Sequence, residues 1–315
     1  MTMPWCARCD TLTPTHTEIA LPGEPETAPP LVVRYPENGD ATGIVVFCHG
    51  LGSGGRAYGE LTQSWVQQGY VVIHPTFADS IFEVAKAFPD LGLDPRDESL
   101  VLWSKTLPQA RARMFQILHD PAYGHDRIRI VGAILDTLPA ILSSIGITPN
   151  ELPLAIAGHS FGAYTAQLLA GAEIDLPDGT RSFRDPRFAA ALVLSGQGRD
   201  QQGLRDGSWD AMTGPVLTVT GQQDGGAKGQ DWHWKCEPYD LAPPGGKVLA
   251  VLNDATHYLG GMTPEGSVVP YQFDALKMVT AAFLDAHLGN RPGAWSWLDL
   301  IEDRIGDCPV IFRRK

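Results

Sequence analysis

The chain has 315 residues and a formal net charge of −12, from 24 Lys and Arg against 36 Asp and Glu. That balance argues against nucleic acid or an anionic membrane surface as a partner. Hydrophobic residues make up 43 %, ample for a buried core, and no apolar run is long enough to span a membrane. Residues 1–20 lack a charged segment followed by an apolar core, so no signal peptide is expected and the cytoplasm is the expected compartment. The five cysteines are too few and too odd in number for a disulfide scaffold. Cys6 and Cys9 form a lone C-x-x-C without the further ligands that zinc requires.

Residues 1–30 are rich in Pro and Thr and read as a surface arm, followed by an edge strand at Leu31–Tyr35. Alternation of strand and helix then begins. Ile44–Cys48 is a continuous apolar run of the kind buried on both faces of a sheet. A glycine-rich loop, a helix over Ala57–Gln68 and a second buried strand at Tyr70–His74 follow. Residues 76–126 break the rhythm. A structureless loop of that length is improbable, so an inserted helical cap is expected, with Pro108–His119 as its clearest helix. Arg127–Ser144 predicts an amphipathic helix with Ile128, Val131, Ile134, Leu135, Leu138 and Leu142 on one face. Further strands are predicted at Leu152–Ala157, Ala189–Leu194, Val216–Thr220 and Lys247–Leu252, and a closing helix from about Tyr271 to Leu288. The pattern predicts an α/β fold with a mostly parallel central sheet. The expected organisation is an arm (1–30), a main domain (31–290) and a C-terminal extension packing on it (291–315).

Gly158-His159-Ser160-Phe161-Gly162 falls between the strand ending at Ala157 and a helical pattern starting at Ala163. A G-x-S-x-G turn in that context is a nucleophile elbow, whose sharp bend exposes the serine hydroxyl at the end of the sheet. A serine needs a base within reach, and the base needs an acid to orient it. Asp224 lies in Thr220-Gly221-Gln222-Gln223-Asp224-Gly225-Gly226, just after a buried strand, and is preferred as acid over Asp200 and Asp231. His257 follows the last predicted strand and is preferred as base over His287, at the end of the closing helix, and over His233, in a Trp-rich loop. Donors for a tetrahedral oxyanion are expected from the backbone N–H groups of Phe161 and Leu51. His49 is read as a structural loop residue. Trp103, Trp232 and Trp234 are candidates for an apolar pocket wall, against ordinary core packing. Arg111 and Arg113 read as a solvated helix face more readily than as an anion contact. Gly50–Gly55 is not a P-loop, because no G-K-[ST] follows. No metal or organic cofactor is expected.

Phe47-Cys48-His49-Gly50-Leu51-Gly52, the Gly158–Gly162 turn and Ala255-Thr256-His257 resemble the α/β-hydrolase superfamily. Within it they resemble the bacterial branch of platelet-activating-factor acetylhydrolase-like and dienelactone-hydrolase-like esterases. The resemblance covers roughly residues 32–288. It implies an α/β-hydrolase fold with a helical cap insertion and a serine carboxylester hydrolase acting through an acyl-enzyme on Ser160, on a small-molecule or polymeric ester. Two departures set this chain apart. Dienelactone hydrolases use a cysteine where this chain has Ser160. The animal acetylhydrolases place their acid one strand earlier, where this chain reads Leu194-Ser195-Gly196-Gln197. Thioesterase, amidase and polyester-hydrolase activities use the same triad, and a hydrolase-like binding protein without turnover keeps the same fold. The sequence does not set the oligomeric state.

Overall fold

A computed structural model of the chain describes residues 12–37, 41–103, 107–149, 151–263, 267–291, 293–301, 305 and 308–315. Cys6 and Cys9 lie outside the described residues. The first strands are β1 (Pro14–Ile19), β2 (Leu31–Pro36) and β3 (Gly43–Cys48), followed by helix α1 (Gly59–Val66) and β4 (Tyr70–His74). The segment read as a cap supplies α2 (Ile81–Ala87), two short 3₁₀ turns and α3 (Pro108–His119). Its apolar side chains Ile81, Val84, Leu100, Met114 and Ile117 form a small core of their own, against which Leu51 and Trp103 pack.

The predicted helix at Arg127–Ser144 is two helices, α4 (Pro121–Asp136) and α5 (Leu138–Ser144). Asp120 caps α4 earlier than the apolar periodicity shows, its Oδ1 accepting from Ala122 N at 2.9 Å. Pro139 has no N–H to continue the ladder, so the chain bends and restarts there. Then come β5 (Leu154–His159), α6 (Phe161–Ala170), a hairpin of β6 (Glu173–Leu176) and β7 (Gly179–Ser182), β8 (Phe188–Leu194) and β9 (Val216–Gln223). The one-turn α7 (Glu237–Asp240), β10 (Lys247–Thr256), α8 (Pro270–His287), α9 (Ala294–Asp299) and β11 (Val310–Arg314) complete the chain.

The main sheet has nine strands in the order β1-β2-β4-β3-β5-β8-β9-β10-β11. Strands β4 through β10 in that order run parallel, and β1, β2 and β11 pair antiparallel at the margins. Alternate residues of β3 enter different cores. Val45 and Phe47 join α1, α8 and α9, whereas Ile44, Val46 and Cys48 join α4, α5 and α6. Helices therefore cover both faces, which is why the central strands read as unbroken apolar runs. The margins differ from the sequence reading. Leu31–Tyr35 was expected as the edge, but β1 from within the arm covers it, and β11 extends the opposite side.

Strand β3 pairs with β4 on one side and β5 on the other. The chain thus turns to one side after β3 and returns to the other. A crevice opens at such a switch point, beyond the carboxyl ends of the strands. The loop after β3 and the turn after β5 meet there.

Trp65 anchors α1 to α8. It is fully buried, and its Nε1 donates to Thr280 Oγ1 at 2.9 Å. Trp65→Ala is expected to lower the unfolding free energy by about 3–5 kcal/mol, read from urea denaturation at unchanged m-value.

Candidate active site

Ser160 sits between β5 and α6 with φ 53° and ψ −115°, a backbone conformation that non-glycine residues adopt only under strain, of order 1–3 kcal/mol. Both flanking glycines are required by close approach. A Cβ at Gly158 would lie 2.8 Å from Ala163 N, and one at Gly162 would lie 2.5 Å from the Cys48 carbonyl carbon and 2.8 Å from His49 O. The elbow therefore packs directly on the end of β3. The Ser160 hydroxyl makes no capping bond to α6, although the helix N-terminus lies beside it. Ser160 lines a cleft of about 200 Å³ with Gly50, Leu51, Ser53, Tyr58, Trp103, His159, His257, Tyr258 and Thr263. Among the described residues this lining carries no basic side chain apart from its histidines, and no acidic one.

Strands β9 and β10 run parallel, with an irregularity in register between Leu252 and Thr256, and deliver Asp224 and His257 side by side. His257 Nδ1 lies 2.8 Å from Asp224 Oδ1. The carboxylate accepts, so Nδ1 carries a proton, and in the neutral ring Nε2 is the nitrogen with the lone pair. Asp224 Oδ2 accepts from Thr220 Oγ1 at 2.8 Å. Burial by itself would raise the Asp224 pKa. The Lys235 ammonium, the His257 ring and the hydrogen bond from His257 outweigh it and hold the carboxyl well below its ordinary range.

Two loops are tied to this pair by a chain of directed hydrogen bonds. Gly50 N donates to Tyr58 Oη (3.0 Å), Tyr58 Oη meets His159 Nδ1 (3.0 Å), and His159 Nε2 meets the His257 carbonyl (2.9 Å). A carbonyl only accepts, so His159 Nε2 carries the proton and Nδ1 receives the tyrosine hydroxyl. Ser195 Oγ donates to the same His257 carbonyl at 3.1 Å. His159 is neutral in this chain, and burial, reinforced by the nearby His257 ring, pushes its pKa down to about 3.

The loop after β3 presents the other face of the cleft. Gly50 N, Gly52 N and Ser53 N donate to Tyr58 Oη, Asp79 O and Gly50 O. Leu51 N has no acceptor among the described residues. Phe161 opens α6, where an amide has no intrahelical acceptor. These are the two amides read from the sequence as oxyanion donors. His49, buried, donates from Nδ1 to Gly50 O (2.8 Å) and accepts from Phe77 N at Nε2 (2.9 Å). Burial and the Arg127 charge push it down to about 4.

Arg127, which periodicity placed on an amphipathic helix without a role, holds this loop from α4. Its guanidinium is fully buried, forks onto Asp79 at 2.9 and 2.6 Å and donates to His49 O at 2.8 Å. It lies 4.3 Å from the ring centroids of both Phe77 and Phe161, so one cation joins the cap side, the β3 loop and the elbow.

Of the expected pocket tryptophans, Trp103 lines the cleft and covers Gly52, where a Cβ would meet its indole carbon at 2.7 Å. Trp232 and Trp234 do not line it. Trp232 stacks on His233 and packs by Cys236 and Tyr239, and Trp234 Nε1 is held by Arg199 O at 2.8 Å. Asp231, the rival acid, caps the Trp232–Cys236 turn and pairs with His233 at 3.2 Å. His287 packs on Phe283 and Trp295, and the Arg113 guanidinium lies over Phe88 at 4.3 Å. Sequence reading missed Tyr58, His159, Ser195, Lys235 and Arg127 as contributors. The one local signal is the position of Tyr58 just after the glycine-rich loop and of His159 inside the elbow; Ser195, Lys235 and Arg127 carry none. Cys48, Cys236 and Cys308 are free and buried. Among the described residues no group of three His, Cys, Asp or Glu is placed to hold a metal ion, and no helix is long and apolar enough to cross a membrane. Compared with known proteins, the chain matches no family model and no curated sequence.

Two measurements follow from the buried charges. Arg127→Met leaves Asp79 ionised and unpaired in the interior and is expected to cost about 3–5 kcal/mol of stability, much of it recovered in Arg127→Met/Asp79→Leu; urea unfolding of both variants reads the difference. The second concerns His49, His74 and His159, all buried and all shifted down, with His74 well below its ordinary value because of burial. The unfolded chain binds their protons near pH 6.5 and the folded one does not, so stability rises with pH up to that point and falls below it. Unfolding free energy is expected to drop by roughly 4 kcal/mol per pH unit between pH 6 and 5, at about 1.4 kcal/mol per histidine. A flat profile from urea titrations at pH 7, 6 and 5 contradicts this.

Proposed function

We propose that the chain is a serine hydrolase of α/β-hydrolase type that cleaves carboxylic esters through an acyl-enzyme on Ser160. The observation that carries the reading is the Asp224 Oδ1–His257 Nδ1 bond of 2.8 Å, next to a serine held at φ 53° on a strand-to-helix turn and sharing one cleft with that histidine. The parallel sheet with helices on both faces and the crevice at its switch point agree with it.

In this mechanism His257 Nε2 takes the Ser160 proton as Oγ attacks the ester carbonyl. The Leu51 and Phe161 amides receive the oxyanion, aided by the N-terminal end of the α6 dipole. The tetrahedral species collapses, and His257 returns the proton to the departing alcohol. Water then attacks the acyl-enzyme with His257 again as base, releasing the carboxylic acid and restoring Ser160. Asp224 fixes the tautomer and stabilises the transient imidazolium. The small cleft, whose described lining carries no acidic side chain and no basic one besides its histidines, favours neutral esters with short acyl groups. Thioesters, amides and polyesters are rival substrates for the same chemistry, and binding without turnover is the rival from outside enzymology.

The test is stoichiometric labelling of Ser160 by a fluorophosphonate with p-nitrophenyl acetate turnover. Ser160→Ala is expected to abolish labelling, and Asp224→Asn to reduce turnover by about 10³–10⁴-fold. A wild type that neither labels nor turns over the ester overturns the proposal.

A further inference from the structure

The mechanism above leaves a buried cation at its edge unused. Lys235 lies in the Trp232–Cys236 turn, with 4 % of its side chain exposed. Its Nζ donates to the Ser195 carbonyl at 3.1 Å and stands 3.8 Å from Asp224 Oδ1, the oxygen that also receives the His257 proton. Ser195 in turn donates its hydroxyl to the His257 carbonyl, so one residue bridges the lysine and the histidine. Burial lowers the Lys235 pKa and the Asp224 carboxylate opposes that drop. An ammonium is a costly way to fill this volume, and an unbranched apolar side chain would pack there without the charge.

The electrostatic consequence follows from position. A buried carboxylate alone favours the protonated form of a histidine bonded to it. A cation beside the same carboxylate oxygen offsets this. The other groups facing the pair add little charge. His159, whose ring centroid is 4.8 Å from that of His257, is neutral. Tyr258 lies against the same ring, and burial pushes the Cys236 thiol up to about 12. Asp231 and His233 pair with each other at the exposed side, and Glu237 is held by Arg199.

We propose that Lys235 is a positioning residue that acts through Asp224, its fixed charge keeping the acid ionised and opposing protonation of His257. This rests on the serine-hydrolase reading above. The experiment is the pH dependence, from pH 4.5 to 9, of the rate constant for fluorophosphonate labelling of Ser160. It is run on the full chain as wild type, Lys235→Met and Lys235→Arg, with thermal unfolding recorded for each. In Lys235→Met the midpoint of the acid limb is expected to move up by about one pH unit, a roughly tenfold loss of rate below the midpoint, with a smaller change on the alkaline plateau. Lys235→Arg, which keeps the charge, is expected to retain the wild-type midpoint. If Lys235→Met does not unfold cooperatively, Lys235→Gln replaces it with the same expected shift. A plateau that falls with an unmoved midpoint shows a structural role and overturns the proposal, as does an equal shift in the arginine variant. A wild type that does not label overturns the serine-hydrolase reading itself, and this proposal with it.

Discussion

The site depends on a backbone contact before it depends on any side chain. The elbow packs so closely on the end of β3 that a single Cβ at Gly162 would collide with the Cys48 carbonyl. This contact places Ser160 against the glycine-rich loop, where a Cβ at Gly50 would lie 3.4 Å from Ser160 Cβ. It also explains why β3 and β5 must be neighbours: adjacent strand ends bring the two turns into van der Waals contact. The strain at Ser160 is stable because the surroundings over-determine it. Ser160 N is held by Leu194 O and its carbonyl by Tyr164 N, so neither side of the residue is free to relax.

Around this contact the polar groups divide into a neutral layer and a charged layer. The neutral layer is the Gly50–Tyr58–His159–His257 chain, each hydrogen bond pointing the same way. A neutral His159 orients three loops without adding a field of its own. Protonating it would reverse its contact with Tyr58 and place a cation beside His257, which burial already opposes. The charged layer comprises two buried pairs, Arg127 with Asp79 behind the β3 loop and Lys235 with Asp224 behind the histidine. Each pair also reaches a backbone carbonyl, His49 O and Ser195 O. Charge is thus placed behind the loops that face the cleft, while the described lining of the cleft is uncharged apart from its histidines.

Legibility in the sequence followed from how local each cause is. Ser160, Asp224 and His257 were readable because each follows an apolar run that ends at one edge of the sheet, and a strand end fixes where the next residues go. The positions of Leu51 and Phe161 on either side of Ser160, in the β3 loop and at the start of α6, were readable for the same reason, as neighbours of such ends. Arg127 was not, because on a helix wheel it is one polar residue among several, and its partners Asp79, Phe77 and Phe161 come from three distant segments. Lys235 was hidden in a Trp-rich turn whose aromatics looked more informative than its charge. Those aromatics were misplaced: composition shows that Trp232 and Trp234 are apolar, and only tertiary packing shows that they face Arg199 and Tyr239 rather than the cleft. Strands β1 and β11 escaped because marginal strands carry weak alternation and take their conformation from the neighbour they cover.

The same distinction separates what this site asks of position from what it asks of chemistry. Position comes from glycines, strand ends and a one-way hydrogen-bond chain, and these bring a serine, a histidine and the Leu51 loop to one cleft. Chemistry comes from the net field of the groups behind them. Asp224 is fully buried and yet held ionised, which requires a compensating charge close by. The histidine provides that charge only when it is itself protonated, the form in which it is no longer a base. A second cation that remains charged independently of the base resolves that conflict, and Lys235 stands 3.8 Å from the carboxylate. The buried lysine is therefore the counter-charge that stands beside the ionised Asp224 carboxylate whatever the state of the ring.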